Sequence, residues 1–316
     1  MIQGTQDMVK LLKENIGRVI VGKSDAVELL LIALLCRGHV LIEDVPGVGK
    51  TMLVSALARS LDCSFKRIQF TPDITPSDIT GFTMANFKTG ELEYHKGLVM
   101  SQIVLADEIN RTSPKTQSSL LEVMEEGQVT VDGTTYMMPQ PFIVLATQNP
   151  VEFVGTYPLP EAQLDRFFMR ISLGYPTADE ETEILNRYVT GTRPIEGLRP
   201  ICAAQDVQVL QQRVNEVYVS KEVRSYISLI AAASRKSSGL SLGISTRASI
   251  SLLRASQARA LLTGRDYVLP EDVQLMAQPV LSHRVMLSPE ARMRNITTER
   301  ALSSIIGSVQ VPVKLP

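Results

Sequence analysis

The stretch from His39 to Thr51 constrains this chain more than any other, because an apolar strand runs there into a glycine-rich turn ending in Gly-Lys-Thr. Gly47 and Gly49 permit backbone conformations closed to residues that carry a Cβ. Val45, Pro46, Gly47, Val48 and Gly49 can therefore wrap with successive amide N–H groups pointing inward, as an anion nest. The helix opening at Lys50, Thr51 and Met52 adds the positive end of its dipole at the same point. That arrangement suits a nucleoside triphosphate, with Lys50 reaching the β- and γ-phosphates and the Thr51 hydroxyl ligating Mg²⁺. The usual pattern has a glycine where this chain has Asp44. Aspartate tolerates turns, so the loop can still form, with the carboxylate expected to point away from the phosphates.

Around this loop the first half of the chain alternates strand and helix patterns. Apolar runs at Val40–Ile42, Ile103–Ala106, Phe142–Ala146 and Phe168–Leu173, with a weaker one at Ser64–Phe70, read as buried parallel strands. A helix over Ala26–Leu35 precedes the first strand, the loop helix covers Lys50–Leu61, and a further helix covers Ser118–Glu126. The expected fold is α/β, a doubly wound parallel sheet. Two inserts interrupt it. Thr80–Lys96 turns at Thr89-Gly90, and Gly127–Met137 turns at Asp132-Gly133, a strong two-residue hairpin signal. Beyond Tyr175-Pro176 strand signals nearly vanish. A capping box at Thr177–Glu180 opens a helix to Val189, a loop covers Gly191–Pro200, and helices are expected near Asp206–Glu216, Glu222–Arg235, Thr246–Leu262 and Pro270–Leu281. The expected division is an αβα core over 1–175 and a helical lid over 176–316.

Two further segments carry chemistry. Ile103–Ala106 ends in Asp107-Glu108, which places two carboxylates at the ligand-facing end of a central strand. Asp107 would hold Mg²⁺ and Glu108 would orient and polarise the attacking water. The next strand ends in Thr147-Gln148-Asn149-Pro150, where neutral, polar Asn149 suits the water or the γ-phosphate; a plain Asn-Pro turn is the alternative.

Together with Leu159-Pro160-Glu161-Ala162-Gln163-Leu164-Asp165-Arg166-Phe167 and Pro279-Val280-Leu281-Ser282-His283-Arg284, these segments make the chain resemble an AAA+ ATPase of the MoxR group over nearly its whole length. The resemblance implies ATP and Mg²⁺ as cofactors and places Asn149 as the first sensor. It implies that Arg166 reaches the nucleotide of a neighbouring subunit, with Arg111 a second candidate, and that Arg247 contacts the γ-phosphate from the lid of its own subunit. Val21 and Gly22 would lie against the adenine. The same resemblance implies a homo-oligomeric ring, usually a hexamer, a partner with a von Willebrand factor A domain, and clients that need maturation or metal insertion. A chaperone-like remodelling ATPase is the function expected. A nucleotide-gated scaffold with slow turnover and a DNA-acting motor are the alternatives.

Bulk composition bears on the last of these. With 32 basic and 33 acidic residues the net charge is −1, which gives no global attraction for nucleic acid or an anionic membrane. Cys36, Cys63 and Cys202 are isolated and odd in number, which fits a reducing compartment. Leu29–Cys36 is too short to span a bilayer and Met1–Gly17 lacks a secretory apolar region, so a cytoplasmic protein is expected.

Overall fold

The computed structural model describes residues 2–88, 90–149, 155–189 and 194–312. Thr89, Pro150 and residues 191–193 of the expected loop lie outside them. Helices α1 (Ile2–Gly17) and α2 (Ser24–Leu35) lead to β1 (Val40–Glu43), α3 (Lys50–Ser60) and β2 (Phe65–Gln69). Next come α4 (Pro76–Thr80) and a hairpin of β3 (Gly81–Ala85) and β4 (Leu92–Lys96), then β5 (Ile103–Asp107) and α5 (Pro114–Glu126). A second hairpin, β6 (Gln128–Val131) and β7 (Thr134–Met137), precedes β8 (Ile143–Gln148), α6 (Glu161–Leu164) and β9 (Met169–Ile171). The five strands β2-β5-β8-β1-β9 form one sheet, and every pairing in it is parallel.

Why the central strands read as unbroken apolar runs is visible in where their side chains go. Ile103, Leu105, Ile143 and Leu145 enter the core on one face with α2 and α3, while Val104, Ala106, Val144 and Ala146 enter a second core with Leu120 and Leu121 of α5. Period-two alternation with both faces covered leaves no polar position. The edge strand β2 departs from this: only Ile68 is buried in it, and Arg67 and Gln69 share the opposite face.

Helices α7 (Ala178–Val189), α8 (Ala204–Val214), α9 (Lys221–Lys236), α10 (Thr246–Leu262), α11 (Pro270–Leu281), α12 (Pro289–Met293) and α13 (Thr298–Ser308) make a helical C-terminal region that contains the lid. A short antiparallel pair, β10 (Leu240–Leu242) and β11 (Met286–Leu287), joins them; its three- and two-residue strands are too short for alternation to register in the sequence. Val9, Leu12 and Ile16 of α1 and Leu252 and Ala255 of α10 share a core cluster with the sheet. No helix among the described residues is long and apolar enough to cross a membrane.

His39 locks the entry to β1. Val144 N–H donates to its Nδ1 at 2.9 Å and its Nε2–H donates to the Met124 carbonyl at 2.8 Å, a set that requires the neutral ring. Burial lowers the His39 pKa to about 4, and burial followed by the Arg284 charge lowers that of His283 to about 3. Unfolded imidazoles take up protons near pH 6.5, so below that value the unfolded state binds more protons than the fold does. Stability is therefore complete above about 6.5 and is expected to fall as pH drops towards 4, by roughly 1.4 kcal/mol per pH unit for each ring. Thermal unfolding across that range measures it; a flat profile contradicts it.

Candidate nucleotide site

After β1 the chain turns through residues 44–49 into α3. Gly47 (φ 86°) and Gly49 (φ 90°) both sit in the left-handed region. Nothing occupies the space where a Gly47 Cβ would stand, so backbone amides can approach a ligand closely there. Lys50 Nζ donates to the carbonyls of Asp44 (2.9 Å) and Val45 (3.3 Å), which holds the ammonium at the loop. The buried Asp44 carboxylate turns elsewhere. It accepts from Ser172 Oγ (2.8 Å), Gly174 N (3.1 Å) and Leu173 N, which ties the loop to the segment joining β9 to the lid. A glycine at position 44 would leave the buried Leu173 amide, and the partly buried Gly174 amide, without that acceptor.

The carboxyl ends of β2, β5 and β8 meet beside the loop. Thr147 Oγ1 donates to Asp107 Oδ1 (2.6 Å) and accepts from Glu108 N (2.8 Å), so one hydroxyl fixes both acidic residues. Glu108 takes φ 57°, a strained conformation for a residue with a side chain that swings its carboxylate out of the strand direction. Its Oε2 accepts from Gln69 Nε2 (2.8 Å) and pairs with Arg111 Nε (3.2 Å). Arg67 places Nη2 2.6 Å and Nε 3.0 Å from Asp107 Oδ2. The hydroxyl of Thr51 and the carboxylate of Asp107 are hard oxygen donors that fit Mg²⁺, and a cation there would compete with Arg67 for Asp107.

Pro46, Gly47, Gly49, Lys50, Thr51 and Met52 line one cleft of about 330 Å³ together with Asp107, Glu108, Asn149 and Arg67. Val21, Gly22, Val45 and Val48 are not among its lining residues. Ile20 nevertheless stands 3.8 Å from where a Gly49 Cβ would be. Gly22 adopts φ 73° and a side chain on it would run into Glu180 of α7.

Arg166 and Arg247 are outside this cleft and beside one another. Arg166 Nε lies 3.3 Å from Glu125 Oε2, and Arg247 Nη2 lies 2.5 Å from Glu125 Oε1. The hydrogen bond from Arg247, with the charges of Arg247 and Arg166, holds the Glu125 carboxyl below its usual range. Glu125 lies in the last turn of α5, Arg247 in the first turn of α10 of the lid, and Arg166 precedes β9. Sequence reasoning passed over Arg67, Gln69 and Glu125. The alternation of Arg67 and Gln69 against Ile68 in a strand next to the Asp107 strand was a usable signal; nothing local marks Glu125.

The sequence model of the ATPase family associated with various cellular activities (AAA) matches residues 39–169, and that of the AAA lid domain matches residues 232–305. Chaperone MoxR1 of Mycobacterium tuberculosis is 41% identical over 94% of this chain and 81% of its own length. An uncharacterised protein of Bacillus subtilis, YeaC, is 54% identical over 95% and 94%, and Protein MoxR of Paracoccus denitrificans is 31% identical over 94% and 93%. The crystal structure of a candidate ATPase from Cytophaga hutchinsonii superposes with a TM-score of 0.91 at 40% identity, covering 98% of this chain and 97% of that one. With its five-stranded parallel sheet, helical lid and glycine loop, this chain belongs to the MoxR family of AAA+ ATPases.

Proposed function

We propose that the chain hydrolyses Mg²⁺-bound ATP as a ring, hexameric by family resemblance, and uses the cycle to remodel client proteins in the cytoplasm. One observation supports this above the rest: the glycine loop with Lys50 and Thr51, the acidic pair Asp107-Glu108 and Asn149 converge on a single cleft. The loop amides and Lys50 hold the β- and γ-phosphates. Thr51 and Asp107 hold the Mg²⁺, which when bound offsets phosphate charge. Glu108 orients the attacking water and takes its proton, and Asn149 fixes the water or the γ-phosphate beside it. Val21 and Gly22, next to Ile20 at the loop, flank the base.

Arg166 completes the site of a neighbouring subunit, where its guanidinium stabilises charge on the transferring group. Arg247, which pairs with Glu125 beside Arg166, contacts the γ-phosphate of its own subunit from the lid when nucleotide is bound. The two hairpins form the client-facing surface. Phe82, Met84, Phe87, Leu92 and Met137 are exposed on or beside them, and Tyr94 stacks on Tyr136 at 3.9 Å to join the two. A von Willebrand factor A domain partner and clients needing maturation or metal insertion are part of the proposal. The relative named Chaperone MoxR1 agrees with remodelling in kind.

A site finished by a second copy makes turnover depend on assembly. Phosphate release per subunit is expected to rise with protein concentration to a plateau, in step with oligomer mass by light scattering. A constant specific rate down to demonstrably monomeric protein would defeat the proposal.

A further inference from the structure

The lid grips the two residues on either side of Arg166. Arg284 Nη2 donates to the carbonyls of Asp165 (3.2 Å) and Phe167 (2.7 Å), and its Nε lies 3.3 Å from Asp165 Oδ1. The neighbouring His283 donates Nε2–H to the same Phe167 carbonyl at 2.9 Å. Both side chains are buried, and both come from the turn between α11 and β11. A third lid residue, Arg247, shares with Arg166 the carboxylate of Glu125. The residues flanking Arg166 are thus held by the lid, and its side chain is held by Glu125 of α5, which Arg247 of the lid also engages.

The lid in turn is fastened to the nucleotide loop. Asp44 accepts three hydrogen bonds from Ser172, Leu173 and Gly174, where the chain passes from β9 to the lid. A displacement of the loop has a short route through that segment to the lid. From the lid, the route continues to residues 165–167.

We propose that each lid sets the aim of its own subunit's Arg166, with Arg284, His283 and Glu125 as positioning residues, so that a subunit presents Arg166 to its neighbour only while its lid is seated. This rests on the proposal that Arg166 serves the neighbouring site. Glu125 has a definite task in such an arrangement. Two guanidiniums brought side by side repel one another, and a carboxylate between them offsets that repulsion and fixes Arg166 Nε in direction. A guanidinium off target by about an ångström loses on the order of a hundredfold in rate without any change at the phosphate-binding loop.

The test compares full-length Glu125→Gln, Arg166→Ala and the double variant, with Arg284→Lys as an independent second site. Glu125 is exposed near the C-terminal end of α5, so its amide variant should fold; thermal melting checks this for all four. The expected result for Glu125→Gln is a kcat lower by on the order of tenfold to a hundredfold with KM and the affinity for a fluorescent ATP analogue unchanged. The double variant should be no slower than Arg166→Ala alone, because both changes remove one function. Adding Glu108→Gln subunits, which carry a correctly held Arg166, should restore turnover to the Glu125→Gln subunits. Arg284→Lys should give the same split between kcat and affinity. Full activity in Glu125→Gln, or a double variant whose deficit is the product of the single ones, overturns the proposal while leaving a trans Arg166 standing. Full activity in Arg166→Ala overturns both.

Discussion

An Arg166→Ala protein is expected to keep its affinity for ATP and to lose turnover by on the order of 10³- to 10⁵-fold, the value of an arginine finger in related phosphoryl chemistry. Affinity survives because Arg166 does not line the cleft that carries Lys50 and Thr51. Turnover goes because, on the proposed reading, the guanidinium that meets the γ-phosphate comes from another copy. The two halves of the shared site can then be separated. A Glu108→Gln subunit lacks the carboxylate proposed to activate water and keeps Arg166; an Arg166→Ala subunit has the reverse. In an equal random mixture, roughly a quarter of the interfaces pair an intact Glu108 with an intact Arg166. Activity should return towards that fraction from two inactive parents. Mixed rings that form, as shown by differential labelling, and remain inactive would place Arg166 in some other role. Its pairing with Glu125 would then be a structural ion pair, of the kind worth about 0–1 kcal/mol where solvent reaches it.

What could be read from the sequence was what is local. Unbroken apolar runs marked β5 and β8 because both faces of a central parallel strand are covered, and Asp132-Gly133 marked a hairpin because few residues tolerate its turn. The glycine loop, the Asp107-Glu108 pair and Asn149 each carry their chemistry within a few residues, and the fold sets the three at one cleft. What escaped depends on distant partners. Arg67 and Gln69 face Asp107 and Glu108 only because β2 pairs with β5 in the register Gln69 to Asp107. Glu125 matters only because a lid helix more than a hundred positions later delivers Arg247 to it, an ordinary charged residue at a helix end until then. Asp44 is an intermediate case. Its side chain could be expected to avoid the phosphates, but the three donors at residues 172–174 that receive it belong to another strand's exit. The β10–β11 pair was invisible because two- and three-residue strands have no period to detect.

For Glu108→Gln, nucleotide affinity should hold while the single-turnover rate drops by on the order of 10²- to 10⁴-fold, the usual contribution of a positioned general base. The two acidic residues at the end of β5 are not equivalent, and their partners say which one is free to act. Asp107 is engaged at both oxygens, by Thr147 at Oδ1 and by Arg67 at Oδ2, so it is suited to hold charge in place. Among the described residues Glu108 has Gln69 and Arg111 both on Oε2, and on the proposed reading Oε1 meets the attacking water. The amide replacement preserves shape and the backbone bond from Glu108 N to Thr147, and so leaves the loop and the cation ligands as they were. It removes the proton acceptor, together with the charge that pairs with Arg111. On the proposed reading, a protein that binds ATP but cannot finish hydrolysis should accumulate in an ATP-bound ring, and clients held by the hairpins should remain attached through affinity purification. Hydrolysis within a few-fold of the parent rate would pass the base role to another group. The left-handed backbone at Glu108, which costs on the order of 1–3 kcal/mol to maintain, would then have no catalytic reason to persist.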